Sequence, residues 1–171
     1  LPKSTKKVGV FVNETVEVIL AKAERYDLQA IQLHGHESVE FCLDLKNKIK
    51  KLKQVQIEII KVFSVCDDFD FEVLKPFETV WDYFLCKTKG KLPSGNRTTF
   101  NWKVLEKYPS TTPFFLSGGI GNEEIEAIQE ISKTNLPLYA IDVNSKFEIE
   151  PGLKIIQKLE RLKHNLKTIN L

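Results

Sequence analysis

Pro113-Phe114-Phe115-Leu116-Ser117-Gly118-Gly119-Ile120-Gly121-Asn122-Glu123-Glu124 runs from a short aromatic and aliphatic stretch, through a glycine-rich turn, into acids that suit a helix N-terminus. Behind it Ile125, Ile128 and Ile131 recur at helical spacing. Strand, tight turn and helix together form the unit from which parallel α/β sheets are built.

Outward from this segment the unit repeats. Apolar runs of strand length occur at Val8–Val12, Ala30–His34, Glu58–Phe63, Asp82–Cys86 and Leu138–Val143. They are continuous rather than alternating and rich in β-branched and aromatic residues, the pattern of buried parallel strands. Helical stretches lie between them: Val16, Ile19, Leu20 and Ala23 after a cap at Asn13 or Thr15; Val39, Cys42, Leu43 and Leu45 after Ser38; Phe71 and Leu74 after Asp67-Asp68. Trp102, Leu105 and Tyr108 follow Thr98-Thr99, and Ile155, Ile156, Leu159 and Leu162 follow Pro151-Gly152. Six strand–helix repeats without a linker predict a single α/β domain over residues 1–171, either an open doubly wound sheet or a (β/α)8 barrel. The GxGxxG turn of the nucleotide-binding open sheet is missing, but periodicity alone does not choose between the two.

Composition narrows the class. With 171 residues, 42% hydrophobic and 28% charged, the chain has the balance of a soluble globular protein. Twenty-five Lys and Arg against 23 Asp and Glu leave a net charge of +2, too little for a nucleic-acid binder. No apolar run approaches a membrane span, and no signal peptide opens the chain. Cys42, Cys66 and Cys86 are odd in number and widely spaced, which argues against a disulfide framework or zinc ribbon and for a cytoplasmic setting. The chain contains no Met and begins at Leu1, so a segment preceding Leu1 is expected.

Chemistry in parallel α/β folds sits at the carboxyl ends of strands. Ser117-Gly118-Gly119-Ile120-Gly121 there is a candidate phosphate cradle: glycines let backbone N–H groups approach an anion, and the helix that follows adds a positive dipole end. Asn144-Ser145, after the last strand, is a candidate second wall of the same cradle. Two ligand-free turns are the competing reading, and finding both at consecutive strand ends favours phosphate. Gln32 and His34 end the run Ala30–His34, where a ligand contact and a buried structural histidine are both open. His36 and His164 lie in polar surroundings, and with His34 they offer no metal site. Lys87, if turned inward, suits an anion or a Schiff base; a lysine reaching out to solvent is the plainer reading. Cys86 should face away from Lys87, and Cys42 and Cys66 read as packing residues. The lysine-rich runs 46–53 and 154–167 read as solvated helix faces.

Seven motifs in order, Val8-Gly9-Val10-Phe11-Val12-Asn13, Gln32-Leu33-His34-Gly35, Ile60-Lys61-Val62, Thr88-Lys89-Gly90, Thr99-Phe100-Asn101-Trp102, Leu116-Ser117-Gly118-Gly119 and Asp142-Val143-Asn144-Ser145, resemble the phosphoribosylanthranilate isomerase family of tryptophan biosynthesis. The segment Ser145–Gly152 resembles the family's ending, where a barrel strand leads through Pro-Gly into the last helix. The resemblance implies a (β/α)8 TIM barrel whose first two βα units are not in this sequence. It also implies an Amadori rearrangement of N-(5-phosphoribosyl)anthranilate to 1-(2-carboxyphenylamino)-1-deoxyribulose 5-phosphate, with no cofactor and no metal. A general acid opens the ribose ring, a general base takes the C2 proton, and the enol ketonises. By the family pattern Gly118, Gly119, Asn144 and Ser145 hold phosphate, while Gln32, His34 and Asp142 line the sugar and anthranilate end.

The sequence departs from the family at two catalytic positions. The general-base Cys, in a Lys-Ile-Cys-Gly-like motif, and a substrate-contacting Arg belong to segments this sequence does not contain. The general-acid Asp of an Asp-Thr-Lys motif is replaced by Lys in Lys87-Thr88-Lys89, which reverses the charge. Arg97 also stands where the loop Ser94–Phe100 would carry Gly, implying an altered lid. Three readings stay open: an isomerase missing its N-terminal quarter, a degenerate homologue that binds phosphate without turnover, and an interaction protein. Two open strand edges imply that a preceding segment or a neighbouring subunit, in a homo-oligomer, completes the fold.

Overall fold

The computed structural model describes residues 2, 4–52, 56–78, 80–88 and 102–168. They group into two compact units, residues 1–63 with 72–85, and residues 64–71 with 86–171.

In the first unit, β1 (Val8–Phe11) and α1 (Val16–Tyr26) are followed by β2 (Ala30–Leu33), α2 (Val39–Lys51) and β3 (Glu58–Val65). Thr15 caps α1 by accepting the N–H of Val18, and Ser38 caps α2 by accepting that of Phe41. Asp27 ends α1 in the left-handed region (φ 49°), its N–H returning to Ala23 and Glu24. β1 pairs with β2, and β2 with β3, all parallel, so that Val10, Gln32 and Ile60 form one row and Phe11, Leu33 and Lys61 another. Ile19, Leu33, Cys42, Leu45 and Ile59 form the core between strands and helices. β4 (Tyr83–Thr88) continues the strand order beside β3, and Asp82 at its start accepts the N–H of Ile59 at 2.8 Å.

The run Val8–Val12 reads as a fully buried strand, yet Val8, Val10 and Val12 are 45%, 57% and 62% exposed. Only the face of β1 bearing Phe11 is covered, because α1 packs on that side.

In the second unit the strand order is β4, β5 (Phe114–Ser117), β6 (Leu138–Asp142). Parallel pairing sets Leu116 beside Ile141 and Ser117 beside Asp142, with a register shift after Phe114. Fully buried Phe114 packs against Tyr108 (4.9 Å between ring centroids), whose far side meets Phe71 at 5.9 Å. The helices expected after Asp67-Asp68 and Thr98-Thr99 are short 3₁₀ segments, Phe71–Phe77 and Trp102–Lys107. Pro76 lacks the N–H a longer helix would use in the first of them. Residues 89–101, with Lys89, Arg97 and the altered lid, lie outside the described residues. α3 (Ile125–Ser132) buries Ile128 and Ile131 as its spacing predicts. Pro151-Gly152 differs from expectation: it is the turn of a small antiparallel hairpin, β7 (Glu148–Glu150) with β8 (Leu153–Lys154), ahead of α4 (Ile156–Lys167). Gly152 takes a positive φ of 89°, which the turn requires.

Candidate functional site

The turns after β1 and β2 are tied to the middle of β3 by one buried carboxylate. Glu37 Oε1 accepts the N–H of Asn13 at 2.9 Å, and the N–H of Gly35 reaches both of its oxygens at 3.1–3.2 Å. Lys61 donates to Glu37 Oε2 at 2.7 Å and to the carbonyl of Gly35 at 2.6 Å. The Glu37 and Lys61 side chains are only 2% and 4% exposed. Burial alone would raise the Glu37 carboxyl, but the Lys61 ammonium and the Asn13 N–H outweigh it and hold the group below its ordinary value. Asn13 sits in the left-handed region (φ 51°) and its side chain accepts the N–H of His36 at 2.7 Å. Asn13 packs so closely on Gly35 that a β-carbon there would strike its amide, so the turn after β2 admits no larger residue.

This network holds the turn that carries His34, whose backbone N–H donates to the carbonyl of Phe11 at 2.8 Å. Gln32 and His34 are both half-buried, and Gln32 shares its row with exposed Val10. His36 and His164 are exposed. Lys61 and Glu37 were missed as partners in the sequence. The available signal was a lysine inside Ile59-Ile60-Lys61-Val62: a cation mid-strand on a covered face needs a carboxylate, and Glu37 follows the neighbouring strand.

In the second unit the turn after β5 is locked from two sides. The Thr88 hydroxyl donates to the carbonyls of Ser117 (2.9 Å) and Gly118 (3.1 Å). The Ser117 hydroxyl donates to Asp142 at 2.7 Å. Gly118 has a φ of 103°, and a β-carbon there would run into the backbone of Thr88; Gly119 follows at φ 64° with open space where a side chain would point. Glycine is therefore required at Gly118 by close contact and favoured at Gly119 by its left-handed conformation. Gly118, Gly119, Gly121 and Ser145 line a single groove together with Thr88. The structure thus brings together three of the four expected phosphate residues. The side chain of the fourth, Asn144, accepts a hydrogen bond from Lys154. Asp142 meets Ser117 directly, across the β5–β6 pairing.

Lys87 is half-buried beside Cys86, whose fully buried thiol is pushed up to about 12. Burial also raises the Cys42 thiol to about 12, so neither is a ready nucleophile. Cys66 departs from the packing role expected of it: it is half-buried, and contact with Asp68 raises its thiol. Among the described residues no cluster of three His, Cys, Asp or Glu is placed to hold a metal, and no helix is long and apolar enough to cross a membrane.

Comparison with known proteins adds to this geometry. Residues 2–165 match the family model of N-(5'phosphoribosyl)anthranilate (PRA) isomerase. An N-(5'-phosphoribosyl)anthranilate isomerase of Parabacteroides distasonis is 44% identical over 158 residues, which cover 92% of this chain and 67% of the relative. The phosphoribosyl anthranilate isomerase of Thermotoga maritima superposes with a TM-score of 0.79 at 31% identity, over 98% of this chain and 76% of that one. A phosphoribosyl anthranilate isomerase crystallised with reduced 1-(o-carboxyphenylamino)-1-deoxyribulose 5-phosphate superposes with a TM-score of 0.77 at 28% identity, covering 98% and 74%. The fold is accordingly that of the (β/α)8 barrel, of which this chain carries six strands of the parallel sheet.

Proposed function

We propose, from the premise that this chain belongs to the N-(5'-phosphoribosyl)anthranilate isomerase family, that it takes N-(5'-phosphoribosyl)anthranilate and serves its conversion to the aminoketose 5-phosphate. The observation that carries this reading is the groove where the Gly118-Gly119 turn and Ser145 face one space. Backbone N–H groups of two positive-φ glycines, sharing that groove with a serine, suit a phosphate's oxygens. Gripping that remote, non-reacting group supplies binding energy that positions the ribose. Gln32, His34 and Asp142 are assigned to the sugar and anthranilate end, Asn144 to the phosphate rim, and small organic phosphates are the partner class.

Lys87 favours a second reading, binding without turnover. At the position resembling the family's acid, a carboxylic acid would hand a proton to the ring oxygen as the ring opens. An ammonium donates hydrogen bonds but has no acceptor capacity and the opposite charge. The test uses the full chain. Titration with reduced 1-(o-carboxyphenylamino)-1-deoxyribulose 5-phosphate measures binding, and the fluorescence change on consuming phosphoribosylanthranilate measures turnover. Binding with turnover supports the isomerase. Binding without turnover supports the second reading. Absence of binding defeats both.

A further inference from the structure

One carboxylate joins the turn after β5 to the turn after β6. Glu124 accepts the backbone N–H of Gly121 on Oε2 at 2.6 Å and the ammonium of Lys146 on Oε1 at 2.6 Å. Gly121 ends the glycine turn that follows β5, and Lys146 stands next to Ser145 in the 3₁₀ segment Ser145–Phe147 after β6. The lysine stem crosses directly over Gly121, since a β-carbon there would come within 2.7 Å of Lys146 Cδ. The Lys146 segment is anchored behind by fully buried Phe147, and its carbonyl accepts Lys158 Nζ at 3.4 Å.

We infer that the Glu124–Lys146 pair is a positioning latch, fixing the glycine turn and Ser145 at the spacing at which one phosphate meets both. The inference rests on the phosphate reading above. Neither side chain needs to touch the ligand: Glu124 orients the Gly121 end of the cradle, and Lys146 holds the opposite wall to it. A rim held in its bound geometry spares the ligand the cost of ordering two loops. The latch also accounts for a carboxylate lining an anion's groove, where it is otherwise repulsive.

That repulsion gives the test a sign. If Glu124 acts only through its charge, Glu124→Gln tightens phosphate binding; if it acts as a latch, the same change weakens it. Titrations of the full chain compare the reduced 5-phosphate analogue with its dephosphorylated counterpart. Glu124→Gln and Lys146→Met are expected to weaken the phosphorylated ligand about two- to fivefold, the scale of a part-exposed ion pair. Lys146→Arg is expected to restore binding, and the double variant to be no weaker than either single one. The dephosphorylated ligand should bind all variants alike, which general loop damage would not leave unchanged. Tighter binding by Glu124→Gln, additive losses, or equal losses for both ligands would overturn the latch. Wild-type binding that both variants retain overturns the latch alone. A wild-type chain that binds neither ligand overturns the phosphate reading and the latch with it.

Discussion

Two carboxylate–ammonium pairs of nearly equal length sit in contrasting surroundings. Glu37–Lys61 spans 2.7 Å with side chains 2% and 4% exposed, and Glu124–Lys146 spans 2.6 Å with side chains 13% and 38% exposed. Distance therefore says little about what either contributes; access of water decides it. Both charges of the inner pair have left solvent, a cost offset by further hydrogen bonds from Asn13 N–H and Gly35 N–H to the carboxylate and from Lys61 to the Gly35 carbonyl. The outer pair keeps its hydration on the lysine side, so it can set the spacing of two loops while adding little to overall stability.

The contrast is broken most visibly by removing one inner partner. Glu37→Gln or Lys61→Met leaves the other group buried with reduced compensation and is expected to cost about 3–5 kcal/mol in urea denaturation. Next in size is Gly118→Ala, which forces a β-carbon toward Thr88 at a φ of 103°. About 1–3 kcal/mol should be lost, along with affinity for the 5-phosphate analogue. A smaller effect is the acid limb of the stability curve. Glu37 is held below its ordinary value of 4.5, so its contribution is complete above that pH and is lost as pH falls through the lowered value. The wild type should therefore lose stability more steeply below pH 4.5 than Glu37→Gln; parallel curves from thermal melts would show the carboxylate is not so held. Smallest of all, Glu124→Gln should change unfolding free energy by less than about 1 kcal/mol, even where it alters ligand binding.

The strand–helix rhythm was legible because burial between helices selects continuous apolar runs, and Thr15 and Ser38 are caps by residue type alone. The glycine turn after β5 was legible for a related reason: consecutive glycines after a strand have few uses other than close approach, as Gly118 makes to Thr88. The polar partners were less so. Lys61 sits in a strand whose surroundings exclude water, but its partner lies 24 positions away and only pairing register unites them. Asn144 reads like its neighbour Ser145, yet Lys154 across the hairpin claims its side chain, and that hairpin was itself hidden behind a Pro-Gly taken as the approach to a helix. The bare valines of β1 escaped notice because composition records what a run contains and not which face a neighbour covers.

The junction at Glu37 has a bearing on biosynthesis. All of its members fall between residues 13 and 61, so everything it requires has emerged from a ribosome before the glycine turn at 118 has been translated. A nascent chain can thus have the ends of β1 and β2 fastened to β3 early, while the glycine turn after β5 is still to come.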